Sequence, residues 1–190
     1  MGYDFPTLPD LLRRDLALVL VGINPGARSV ARGHYFSSPS SRFWPAFSRS
    51  RLSAPIRRAL GTDRLSPDVD ARLLDFGIGF TDVVKRTTAN ASELTGRDFA
   101  LWAPRLVERL RRYRPRVVAF HGLTAYRAFV AVAPGSWPVR PALGPQAERL
   151  GASRLFVIPN PSGANAHFRL EDLVAWYDTL AEFLASSGDR

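Results

Sequence analysis

Residues 16–22 read LALVLVG, an unbroken apolar run with no polar side chain on either alternating face, stopped by a glycine. A segment of this kind must be covered on both sides, and a strand inside a parallel sheet meets that demand. Two further runs share the form: RVVAFHG over 116–122 and RLFVIP over 154–159, each entered from a polar or basic stretch and stopped by Gly or Pro. A fourth candidate, between Leu73 and Val84, is interrupted by Gly77 and Gly79 and is the weakest of the set.

Helical patterns lie between these runs. Phe99, Trp102, Leu106, Leu110 and Tyr113 recur at spacings of three and four, and TGRD over 95–98 has the form of a capping box ahead of them. Pro104 is expected to kink this helix or to mark its first turn. Leu170, Leu173, Val174, Tyr177, Leu180 and Leu184 make the apolar stripe of a closing helix, with Gly188 just past its end. Strand then helix, repeated, predicts an α/β fold: three layers, α/β/α, around a central, mostly parallel sheet. No composition shift divides the chain, so residues 1–190 are expected to form one domain. The Pro- and Gly-rich stretch 134–151 is expected to be a long connection that can hold a short hairpin.

The charge balance narrows the partner class. Lys+Arg number 26 against 17 Asp+Glu, a formal +9, and every basic residue except Lys85 is an arginine. Guanidinium groups stay charged and fork onto phosphate oxygens, so nucleic acid is the leading partner. The run Arg109, Arg111, Arg112, Arg114, Arg116 crosses a helix end, where cations suit the dipole, and is expected to be a solvated face. With no cysteine in the chain, disulfides, zinc ribbons, iron–sulfur clusters and thiol nucleophiles are excluded together. His34, His121 and His167 are scattered over three loops, so neither a metal nor a cofactor is expected. No apolar run approaches the ~20 residues of a membrane span, and the opening MGYDFPTLPD lacks the parts of a signal peptide. The expectation is a cytoplasmic monomer.

In open α/β sheets ligands bind beyond the carboxyl ends of the strands, so the residues just past each run are the candidates for chemistry. After the first comes GINPG over 22–26; after the weak one, Thr81 and Asp82; after the third, HGLT over 121–124; after the last, NPSGAN over 160–165. GINPG sets an amide side chain on a tight, glycine-flanked turn, which suits either ligand approach or a plain strand exit. It is neither GxxxxGK[ST] nor GxGxxG, so the nucleoside triphosphate and dinucleotide fingerprints are absent. Downstream, residues 33–44 mix aromatics with hydroxyls in a composition suited to a flat ring. There Phe36 is the candidate stacking platform, while Phe43 and Trp44 are expected in the core.

Taken together, GINPG, the block from Phe36 to Trp44 and NPSG over 160–163 resemble the mismatch-specific uracil-DNA glycosylases. These are relatives of the thymine-DNA glycosylases within the uracil-DNA glycosylase superfamily. The similarity extends from about Leu16 to about Tyr177 and takes in GFTDVVKRT over 79–87 and HGLTAY over 121–126. It implies a uracil-DNA glycosylase-like fold and a monofunctional enzyme that rotates deoxyuridine out of duplex DNA, G:U mismatches in particular. Such an enzyme hydrolyses the N-glycosidic bond and leaves an abasic site.

By the same resemblance Asn24 orients the attacking water, and Ile23, Gly26, Phe36 and Asn160 hold the base. Asp82 has two readings: a carboxylate reaching the same water, or a structural group that caps the next turn or pairs with Lys85 or Arg86. The loop with Ser162, Gly163, Ala164, Asn165 and His167 is expected to meet DNA and fill the gap left by the extruded base. Family members of the enteric type carry a bulky Leu and an Arg there; in this chain Asn165 is a candidate reader of the orphaned guanine, and His167 or Phe168 supplies the bulk. Ser37, His121 and Gly122 are expected phosphate contacts. Double-stranded DNA carrying uracil or a mismatch is the expected partner. Two alternatives stay open: a broader glycosylase acting on single strands or other damaged bases, and a non-catalytic nucleic-acid-binding domain.

Overall fold

The computed structural model describes residues 4–135 and 141–186. Five strands form one sheet in the order β2-β1-β3-β5-β4. β1 (Leu18–Gly22), β2 (Ile78–Asp82), β3 (Val117–His121) and β5 (Ser153–Ile158) run parallel, and β4 (Gly144–Leu150) pairs antiparallel with β5 at one edge. The helices are α1 (Ala27–Arg32), α2 (Phe43–Arg49), α3 (Ala54–Leu60), α4 (Gly96–Tyr113), α5 (Leu123–Val130) and α6 (Leu170–Ala185).

Period-two alternation along the buried strands explains the layering. Leu18, Leu20, Phe80, Val117, Ala119, Phe156 and Ile158 face a core shared with Phe43, Phe47, Ile56, Leu173, Tyr177 and Leu180, from α2, α3 and α6. Val19, Val21, Val118, Phe120, Leu155 and Val157 face the other way, onto Trp102, Leu106, Leu110, Tyr126 and Phe129 from α4 and α5. The expected three layers are present, and Phe43 and Trp44 lie in the core as expected.

The capping box before α4 is formed: Asp98 Oδ2 accepts from Thr95 N at 2.8 Å, and Pro104 is carried inside the helix. The weak strand candidate shortens to β2, preceded by 3₁₀ turns over Pro67–Phe76 that end on Gly77 at φ +77°. In the stretch 134–151, of which 136–140 lie outside the described residues, the hairpin takes the form of β4, which turns at Gly151 and pairs back onto β5. β4 reads GPQAERL, mostly polar, since it lies on an open edge where Pro145 and Arg149 discourage further pairing. The expected helix stop at Gly188 lies outside the described residues. Among them, no helix is long and apolar enough to cross a membrane.

In this strand order the chain leaves β1 for β2 on one side and then returns past it to β3. The crevice at the carboxyl ends of β1 and β3 is therefore the switch point where such sheets bind ligands.

Candidate active site

The exits of β1, β2, β3 and β5 converge on one cavity of about 920 Å³. It brings together Ile23, Asn24, Gly26, Phe36, Asp82 and Asn160, with Ser162, Ala164 and Asn165 at its rim.

Asn24 is fixed by its amide nitrogen. Nδ2 donates to the Thr88 hydroxyl at 2.7 Å and to the Arg86 carbonyl at 3.0 Å. The 86–88 segment is itself tied to the β1 exit by the parallel bridge Gly26–Thr88 and by Ala27 N donating to the Thr88 carbonyl at 2.8 Å. With the nitrogen committed, Oδ1 is the atom left to accept a hydrogen bond, and it takes none from the described residues. Asn160 is arranged the other way round. Its Oδ1 accepts from Ser162 N at 3.0 Å, which leaves Nδ2 as the donor.

Phe36 has φ +54°, a region costly for a side chain of its size. The neighbourhood enforces it. Asp70 Oδ2 accepts from Tyr35 N at 2.8 Å, and Trp44 Nε1 donates to the Tyr35 carbonyl at 2.9 Å, fixing the peptide before it. One face of the Phe36 ring stacks on Phe43 at 4.4 Å between centroids and the ring remains half-buried against the cavity.

Asp82 ends β2 in register with Gly22 of β1 and is 3% exposed. Its Oδ2 has no well-aligned hydrogen bond; the Lys85 ammonium lies 3.8 Å away. Burial pushes its carboxyl up to about 6, opposed by Lys85 and reinforced by Asp10. Asp82 therefore both faces the cavity and neighbours Lys85. It does not pair with Arg86, which is bound at 2.6 Å to Asp98.

The loop after β5 is held from below by Arg42. Its guanidinium donates to the carbonyls of Ser162 at 2.8 Å, Asn165 at 2.7 Å and Phe168, and Arg42 N donates to the Pro161 carbonyl at 2.9 Å. Gly163 rests on Ser40, so close that a methyl there would stand 2.6 Å from the Ser40 carbonyl oxygen. Asn165 Nδ2 donates one of its two hydrogens to the Asn160 carbonyl at 2.9 Å, which ties the side chain to the start of the loop. Phe168 packs against the core, leaving His167 as the bulkiest exposed side chain of the segment.

The polar groups of the three expected phosphate contacts are enclosed or already bonded. His121 is 1% exposed, its Nε2 paired with the Tyr177 hydroxyl at 3.0 Å and its ring 4.9 Å from that of Phe36. Burial pulls its pKa down to about 3, so it is a neutral part of the floor. Gly122 spends its N–H on the Ile158 carbonyl at 2.7 Å, and Ser37 is buried. Hydroxyl residues that do line the cavity include Ser38, Ser40, Ser41, Ser92 and Ser162. The arginine run also divides: Arg111, Arg112, Arg114 and Arg116 are exposed as expected, but Arg109 turns inward and donates to the Asp82 carbonyl at 2.8 Å.

Residues 9–181 match the model of the uracil DNA glycosylase superfamily. The chain belongs to that superfamily. A Methanosarcina acetivorans protein, described provisionally as a uracil DNA glycosylase in its solution NMR structure, is similar in architecture. The TM-score is 0.59 at 18% identity, over 94% of this chain and 97% of that one, a likeness that establishes the shared fold. Within the superfamily fold, the residues that sequence reasoning missed are Thr88, Arg42 and Tyr35. Each acts through a partner more than eight positions away or through backbone atoms, which no local spacing reveals. Among the described residues no group of His, Cys, Asp and Glu is arranged to hold a metal.

Proposed function

We propose that this chain is a mismatch-specific uracil-DNA glycosylase, a monofunctional enzyme that takes uracil out of duplex DNA, above all opposite guanine, and leaves an abasic site. The observation that carries the reading is the sharing of one cavity by an uncommitted amide oxygen, a buried carboxylate and an aromatic face, from Asn24, Asp82 and Phe36. A flat base stacks on Phe36, and Asn160 Nδ2 supplies a donor to a base carbonyl.

Asn24 Oδ1 accepts from the attacking water and fixes its approach to the anomeric carbon. An amide cannot take the proton; the Asp82 carboxylate can. The water oxygen bonds to the sugar carbon, the C–N bond breaks with its electron pair moving to the base, and the water's proton passes to Asp82. Ile23 and Gly26 complete the wall of the slot. His167 enters the gap left in the duplex, with Ser162, Gly163, Ala164 and Asn165 forming the backbone ridge that carries it.

The test is single-turnover release of free base from oligonucleotides carrying uracil opposite guanine, opposite adenine or unpaired. Fastest release from the G:U duplex, lost in Asn24→Ala, is the expected result. Equal rates on all three would favour the broader glycosylase. Tight binding to uracil-bearing duplex with no release of base would mean a non-catalytic reader.

A further inference from the structure

Lys85 is the single lysine among 26 basic residues, and it is 0% exposed. A chain that uses arginine at every other basic position keeps an ammonium here, where a compact, single-point charge is what the space between two carboxylates admits. Its Nζ lies 3.0 Å from Asp10 Oδ1, 3.4 Å from the Tyr35 hydroxyl and 3.8 Å from Asp82 Oδ2.

Asp10 comes from outside the four loops. It sits on an N-terminal strap that bridges β2 at Leu11–Phe80 and is fastened by the Thr7 hydroxyl, which donates to the Lys85 carbonyl at 2.7 Å. Asp10 also accepts from the Thr81 hydroxyl at 2.6 Å and lies 3.4 Å from Arg109 Nε. Although burial opposes it, Lys85 and Arg109 hold the Asp10 carboxyl below the usual carboxylate range. The groups facing Asp82 are thus Lys85 beyond β2, Asp10 on the strap, Arg109 on α4 and Tyr35 before α2.

We infer that Asp10 and Lys85 are positioning residues that set the proton affinity of Asp82. Asp10 draws the shared ammonium toward itself, so Asp82 keeps a cation near enough to ionise yet too far to quench its basicity. The inference rests on the reading of Asp82 as the acceptor of the water's proton. Lys85 itself forms no bond to substrate, and the strap becomes part of the catalytic apparatus at a distance.

The two positions make opposite demands. In Asp10→Asn the ammonium is released toward Asp82 and a like charge is removed, so Asp82 should titrate at lower pH. In Lys85→Met the nearest cation is gone, so Asp82 should titrate at higher pH. Each displacement should be on the order of one pH unit. The full-length protein, labelled with carboxyl ¹³C-aspartate, would be titrated by NMR without DNA, the Asp82 resonance being assigned by its loss in Asp82→Asn. Single-turnover rates would be measured across the same pH range.

Opposite displacements of the midpoint support the proposal. Unmoved midpoints, or displacement of both in one direction, overturn it. Should Lys85→Met fail to fold, Asp10→Asn decides alone: a lower midpoint supports the proposal and an unchanged or higher one overturns it. If the midpoints move as expected while the rate profile stays where it was, the positioning stands and the catalytic reading of Asp82 falls.

Discussion

The backbone of Gly22 lies directly against the carboxylate of Asp82: a methyl group at residue 22 would stand 2.5 Å from Oδ1 and 3.8 Å from the Phe36 ring. The glycine is needed for space, since its φ is not positive. Gly22→Ala should push the carboxylate off the water site and slow single-turnover cleavage by about 10²-fold, within the range of lost acid–base catalysis. Its circular dichroism spectrum should match that of the parent. Parent-like cleavage by a folded Gly22→Ala protein would mean the carboxylate position is immaterial.

The elevated proton affinity of Asp82 has two consequences of opposite sign. If Asp82 accepts the water's proton as proposed, its ionised form is the active one, so the single-turnover rate should rise through pH 6 and level off above it, and Asp82→Asn should flatten that limb. Folding goes the other way. A carboxyl at about 6 in the fold and near its ordinary 3.8 in the unfolded chain binds protons more tightly when folded. Stability is thus given up as pH climbs from about 4 through 6, on the order of 1–3 kcal/mol by linkage. Chemical denaturation above pH 7 should find Asp82→Asn at least as stable as the parent.

Removing the ring of Phe36 should weaken uracil-DNA binding. Base–aromatic stacking is worth about 1–3 kcal/mol, or roughly 5- to 150-fold in dissociation constant. Phe36→Ala should therefore show this loss in fluorescence anisotropy with an uncleavable duplex. Stability should fall as well, because the ring stacks on Phe43 in the core. An affinity within twofold of the parent would argue that the base rests elsewhere.

Arg42→Gln removes the fork beneath the loop after β5 and leaves the carbonyls of Ser162, Asn165 and Phe168 to find new donors. Amide hydrogen exchange over 162–168 should accelerate by at least about tenfold. Cleavage of paired uracil should fall more than cleavage of unpaired uracil, because only the duplex needs a side chain pressed into the gap. Equal losses on both substrates would assign Arg42 to general stability instead.

Much of the site could be read from the sequence because the cavity is built at strand exits. An apolar run stopped by glycine locates both the strand and the place where chemistry sits, and this rule alone brings Asn24, Asp82 and Asn160 to one edge. His121 obeys the same rule, yet its strand is central, with Phe36, Phe43 and Tyr177 around it, and only packing reveals that the ring is enclosed. β4 has no strand pattern of its own because an exposed edge strand needs neither apolar alternation nor freedom from proline. The Asp10–Lys85 pair spans 75 positions, and no periodicity connects a strap to a buried ammonium. Arg42 was invisible for a different reason: it recognises main-chain carbonyls, which every residue possesses.

That last property separates mount from tool. Since the Arg42 fork grips carbonyl oxygens, residues 164, 166 and 167 are free to change identity without loosening the segment that carries them. Gly163, seated on Ser40, is the exception. On the proposed reading, the tip that would probe the duplex can be exchanged one substitution at a time while the holder stays in place.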